Sequence, residues 1–207
     1  MKNNPQFSNK PNQLVIAIND KGFRSPVITL IIRLFKFLLR VLGIAKEYWI
    51  SRSPALVAVV LGIYKDNIFV LGEQRSKNMD QPGKWCVPCG YLDWNETGYD
   101  GVTRELYEEV GFYLPDYIVS LITDNDQQPF FVQTHPSENR QNVALTYGLV
   151  FDFEKTGLPA LKTDPKEVTK AEWIPIERVL NKSIYDWAFK HDERIEMALI
   201  KYKAYLQ

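Results

Sequence analysis

Two cysteines in 207 residues are too few for a disulfide framework. The amino terminus also carries no stretch that resembles an export signal, so a reducing cytoplasm is the expected compartment. Charge of a prevailing sign is missing as well, because 25 lysines and arginines are matched by 25 aspartates and glutamates. No overall field then draws the chain to nucleic acid or to an anionic membrane, and any anionic ligand must be held by a local site. Histidine is as scarce as cysteine, at two residues, His135 and His191, and neither stands at ligand-like spacing from the cysteines. A four-cysteine zinc site is impossible with two cysteines. Cys86-Val87-Pro88-Cys89 has the spacing of a thioredoxin-like pair, but it falls in a strand-like run instead of at a helix start, where the dipole would lower a thiol pKa. Both thiols are therefore read as packing residues.

The length suits one domain with appendages, large enough to bury a core without staples, and no internal repeat is present. Residues 1–26 are rich in asparagine, lysine, proline and serine and read as an arm with no assigned function. Val27 to Lys46 is nearly continuous apolar sequence, interrupted by Thr29, Arg33, Lys36, Arg40 and Gly43. The three basic residues lie at i, i+3 and i+7, so a helix would gather them on one side and leave a wide apolar surface. Three charges within this stretch argue against a transmembrane span. An interfacial membrane helix is the lesser alternative. The favoured reading is a helix packed against its own domain or against a second subunit, which admits a homodimer. Residues 1–54 are accordingly taken as an N-terminal helical extension and residues 55–207 as the main domain.

From Ala55 the pattern is α+β. Ala55 to Ile63 is a buried strand, Tyr64-Lys65-Asp66-Asn67 a hairpin turn, and Asn67 to Gln74 the returning strand. Met79 to Lys84 is a loop, and Trp85 to Tyr91 is strand-like. Glu96 to Val110 reads as a helix with Tyr99, Val102, Leu106 and Val110 on its apolar face and Gly111 as a left-handed cap. Strands are expected at Tyr117 to Thr123, Pro129 to Thr134, Val143 to Phe153 and Val168 to Trp173. Pro175 should open one helix, and Asp192 to Leu206 should form the last. This irregular interleaving predicts a mixed sheet with helices on both faces.

The chemistry concentrates between Gly90 and Phe112. Glu105, Glu108 and Glu109 stand at i, i+3 and i+4, so they project from one face of their helix beside its apolar stripe. Carboxylates so close repel one another. Either they form a solvated face paired with Arg104 or a lysine, or a hard divalent cation such as magnesium sits among them, as in metal-assisted phosphoryl chemistry.

The surrounding residues favour the second reading. Gly90, Glu96, Arg104, Glu105, Leu106, Glu108, Glu109, Gly111 and Phe112 fill nine specified positions in 23 residues, and the segment so formed resembles the Nudix box, G-x5-E-x7-R-E-U-x-E-E-x-G-U. The resemblance is specific over Gly90 to Phe112, extends loosely from Ala55 to about Trp173, and leaves residues 1–54 outside. It implies a Nudix-like α/β/α sandwich and hydrolysis of a diphosphate bond, with Mg2+ or alternatively Mn2+. The substrate would be a small nucleoside diphosphate linked to another moiety: a nucleotide sugar, a dinucleotide or a modified nucleoside triphosphate.

Carried onto this chain, Glu105, Glu108 and Glu109 would bind the metal, and Gly90 would let the backbone approach the metal or the phosphates closely. Glu105 would also orient or deprotonate the attacking water, Arg104 would hold a box carboxylate in place, and Glu96 would support the loop. Members often use one more carboxylate outside the box; Glu167 is the candidate here and Glu138 its runner-up. Many members have glycine where this chain has Cys89, which puts the local backbone in question because cysteine tolerates positive φ poorly. For substrate contacts, Arg75 is expected to reach phosphate, and Trp85, Phe130 and Phe131 to stack on a base unless they serve as core. Two other functions fit a Nudix domain: nucleotide sensing without turnover, and pyrophosphohydrolysis at RNA 5′ ends. The complete acidic set and the lack of a winged-helix pattern after Trp173 weigh against the first; the second would need a basic groove, which neutral net charge neither shows nor excludes, and no stable nucleic-acid partner is expected.

Overall fold

The computed structural model describes residues 26–42, 53–93, 95–123, 127–135, 142–179, 181 and 183–206. The chain divides into two compact units, Ala55–Val132 with Ala144–Gln207, and Met1–Pro54 with Gln133–Val143. In the smaller unit, Pro26 opens helix α1, Pro26–Val41, at the first helical position, where a missing amide proton is not needed. The part of the expected helix that runs on to Lys46 falls largely on residues outside those described. Leu34, Phe35, Phe37 and Leu38 of α1 are exposed. Among the described residues, no helix is long and apolar enough to cross a membrane.

The larger unit is built on a mixed seven-stranded sheet. Its strands are β1 (Pro54–Tyr64), β2 (Asn67–Arg75), β3 (Trp85–Cys86), β4 (Cys89–Tyr91), β5 (Phe131–Gln133), β6 (Val143–Asp152) and β7 (Val168–Pro175). The order is β3-β2-β1-β6-β5, with β4 also paired to β1 and β7 to β2. β1 shows why its sequence is apolar without interruption. Leu56, Ala58 and Val60 face one core, which they share with Val102, Leu106 and Val110 of helix α2, Gly98–Val110. Val57, Val59 and Leu61 face a second core with Val179 and with Ile195 and Ala198 of a C-terminal helix. A strand covered on both faces loses the polar half of its alternation. The result is an α/β/α sandwich whose first connection is a hairpin turn, with Lys65 and Asp66 both at positive φ.

Helix α2 begins two residues later than Glu96 because Thr97 caps it: the Thr97 side chain accepts from the Asp100 amide while Asp100 bonds back to the Thr97 amide. At the other end Gly111 sits at φ 70°, and its amide closes the helix on the Leu106 and Tyr107 carbonyls. A Cβ there would stand 3.0 Å from the Lys162 carbonyl oxygen. Gly111→Ala is expected to lower stability by about 1–2 kcal/mol in urea unfolding; an unchanged midpoint would show that the cap carries no strain.

Several segments depart from the sequence pattern for identifiable reasons. Tyr117 to Thr123 is not a strand: Leu114–Ser120 forms a 3-10 turn with Pro115 in its first turn, leaving only a bridge between Leu121 and Phe151. Tyr117 lies stacked on Phe112 with 4.7 Å between ring centroids. The run from Trp85 to Tyr91 splits into β3 and β4 at Val87-Pro88, where proline has no ladder proton to give. Pro175 ends β7, and the helix expected to open there begins one residue later as a single turn, α3, Ile176–Val179. The last helix, α4, is His191–Lys201, followed by a 3-10 turn at Lys203–Tyr205.

Candidate metal and active site

Arg104 organises the acidic face of α2. Its guanidinium donates to Glu96 at 2.8 and 3.1 Å, to Glu105 at 2.6 Å, to Glu108 at 3.2 Å and to the Tyr91 carbonyl at 2.9 Å. Asp93 lies 4.0 Å away. One cation thus faces four carboxylates. Glu109 stands apart from that set, with Oε2 accepting from the Cys89 amide at 2.9 Å. Glu105 and Glu109 are buried, whereas Glu108 remains open to solvent.

Burial of like charges has the expected electrostatic result. Desolvation pushes the Glu105 carboxyl up to about 7; Arg104 pulls it back, while Glu108 and Glu167 push it further up. Glu109 is raised well above the ordinary carboxylate range by desolvation and by the fields of Glu73, Cys89 and Glu105. These acids are short of positive charge, which a divalent cation would supply. Glu105 lies directly against the Gly90 backbone, where any Cβ would overlap its carboxylate. The donor set and its unneutralised charge fit a hard divalent ion.

A model of the NUDIX domain matches residues 53–195. The chain belongs to the Nudix family. No curated protein matches it, but solved Nudix structures share the fold. The NUDIX domain of Shewanella oneidensis NrtR, solved with ADP ribose, aligns with TM-score 0.57 and 19% identity over 78% of this chain and 97% of that one. The Francisella tularensis bifunctional NMN adenylyltransferase/ADP ribose pyrophosphatase, solved with AMP and a manganese ion, gives TM-score 0.57 at 18% identity; 86% of this chain spans about half of that protein, 50%. The Ap4A hydrolase of C. elegans gives 0.52 and 18%, covering 74% of this chain and 97% of that one.

The Nudix box thus accounts for α2, and its surroundings sort the remaining candidates. Gly90 is not at positive φ, and neither is Cys89, which removes the doubt about cysteine at that place. What Gly90 provides is room for the Glu105 carboxylate. Glu167 is exposed, donates its amide to Asp164 and is near enough for its charge to act on Glu105. Glu138 lies outside the described residues. The Arg75 guanidinium is turned inward, donating to the Asp80 carbonyl at 2.6 Å and lying 4.9 Å from the centre of the Phe189 ring. Trp85 is buried edge-on against Tyr185, with the Lys170 ammonium over its ring. Phe130 packs on Tyr202, and Phe131 carries the Arg194 guanidinium over its ring at 4.4 Å. Each of these expected substrate contacts is engaged within the protein.

Two features were not visible in the sequence. Glu73 of β2 is buried beside Cys86 and pushed up to about 8, chiefly by desolvation. His191, which opens α4, comes together with Cys86 and Cys89, although nothing in its sequence spacing points there. The signal for both is tertiary: an acid in an apolar strand is legible, but its neighbours are not.

Proposed function

We propose that the chain is a Nudix pyrophosphohydrolase that cleaves a diphosphate bond in a nucleoside diphosphate linked to another moiety. The observation that carries this reading is the excess of carboxylate around α2, where Arg104 faces Asp93, Glu96, Glu105 and Glu108 while the buried Glu109 lies outside its hydrogen bonds. Glu105, Glu108 and Glu109 would hold magnesium, with manganese as the alternative. When bound, such an ion polarises the diphosphate and makes a bound water more acidic. Arg104 fixes the rotamers of Glu105 and Glu108, and Gly90 keeps the Glu105 carboxylate accessible. Glu105 would also orient or deprotonate the attacking water. Glu167 is the further carboxylate proposed to assist it. ADP-ribose and AMP in the related structures make nucleoside diphosphate sugars the first compounds to test.

The test is release of monophosphate from a panel of nucleoside diphosphate derivatives in magnesium buffer. Turnover of at least one is expected. Tight binding across the panel with no product would favour nucleotide sensing instead.

The same charges set a pH dependence. In the metal-free fold Glu105 keeps its proton up to about 7, against an ordinary value of 4.5. Between those values the folded state binds more protons than the unfolded state, so this contribution to stability is whole at low pH and is lost as pH rises through neutrality. Magnesium is therefore expected to raise the melting temperature more at pH 8 than at pH 5. Equal increments in calorimetry at the two pH values would contradict the assignment.

A further inference from the structure

We propose that Cys86, Cys89 and His191 form a zinc site beneath the box, separate from the carboxylates of α2. The proposal does not rest on the hydrolase reading.

Geometry is the first ground. One ligand atom from each of the three residues lies within 4.8 Å of the other two. Tetrahedral zinc, with bonds of about 2.3 Å to sulfur and about 2.0 Å to nitrogen, holds its ligands roughly 3.4–3.8 Å apart, so a contraction of about 1 Å at most completes the set. The two cysteines flank the turn between β3 and β4, and neither is in a disulfide. His191 enters from α4 with its Nδ1 accepting from the Val87 amide at 3.2 Å, which places the ring beside the segment between the cysteines; to ligate zinc, Nδ1 would exchange that amide for the metal.

Donor chemistry selects the ion. Two sulfurs and an imidazole are soft to intermediate ligands that suit zinc, whereas magnesium prefers the all-oxygen set on α2. Each thiol binds as thiolate and releases its proton to solvent, with no change of oxidation state.

A second, independent observation points the same way. Glu73 is 1% exposed, its Oε1 lies 3.2 Å from Cys86 Sγ, and its Oε2 has no hydrogen-bond partner. A buried carboxylate oxygen without a partner is costly. A metal cation bound by the neighbouring sulfur, on which Arg75 Nη1 already lies at 3.8 Å, would answer it.

The site would pin the loop that leads into the box. The Cys89 amide holds Glu109, the Pro88 carbonyl accepts from Ala58 at 2.9 Å, and Gly90 borders Glu105. Zinc here orders the loop and takes no part in diphosphate chemistry.

The experiment is elemental analysis of the full chain purified under reducing conditions, followed by Co2+ titration of the metal-free protein. About one zinc per chain is expected, together with thiolate-to-cobalt charge-transfer absorption. Both should be lost in Cys86→Ser and His191→Ala and kept in Glu108→Gln, which touches only the acidic face. If a cysteine variant does not fold, the wild-type stoichiometry and spectrum still decide. Zinc far below one equivalent with no charge-transfer band overturns the proposal, whether the thiols are then free or joined in a disulfide. Failure of hydrolysis would leave these readouts unchanged, so the two readings fail separately.

Discussion

Arg104→Met is expected to destabilise the protein by about 3–5 kcal/mol, because it removes one partner of a buried charge network and leaves the others unpaired. Methionine keeps the aliphatic stem, so lost packing is a small part of the effect. What is stranded is specific: two carboxylate oxygens of Glu96, one of Glu105, and the Tyr91 carbonyl at the end of β4. Glu105 already resists ionisation with Arg104 present. Urea unfolding in magnesium-free buffer measures the loss. A change below about 1 kcal/mol, the range of surface ion pairs, would mean that the network is solvated and does not define the site.

Glu109→Gln should act in the opposite sense on stability and far more strongly on turnover. Glutamine has nearly the same shape and can still accept from the Cys89 amide, so the bond that ties β4 to α2 survives. It removes a charge that the fold holds at a cost, and the metal-free variant is therefore expected to melt no lower than wild type. The loss falls on the bound cation. If that ligand contributes several kcal/mol to transition-state stabilisation, kcat should drop by on the order of 10³ at saturating substrate. Steady-state kinetics beside a melting curve separates the effects. Comparable turnover by variant and wild type would remove Glu109 from the mechanism.

Much of this arrangement could be read in the sequence because its determinants are local. Three glutamates on one helical face, Arg104 preceding them and Gly111 closing the helix are fixed by spacing along a single element. β1 was equally readable, since burial on both faces writes itself as an uninterrupted apolar run. What the local pattern does not carry has a different, tertiary cause. Tyr117 to Thr123 has the composition of a strand, yet Val119 is 89% exposed and Tyr117 is used by Phe112, so its apolar residues never shared one face. Trp85 and Arg75 have the chemistry of ligand contacts, and that same chemistry is satisfied internally by Tyr185, Lys170, Phe189 and the Asp80 carbonyl. His191 was invisible because α4 brings it to the cysteine pair from far along the chain.

The central claim is that the acids of α2 hold a divalent ion. Diffraction at the manganese absorption edge from crystals soaked in Mn2+ tests it most directly. The account predicts an anomalous peak bounded by oxygens of Glu105, Glu108 and Glu109. Crystals that take up manganese elsewhere or not at all, with Glu105 and Glu108 still turned onto Arg104, would contradict it.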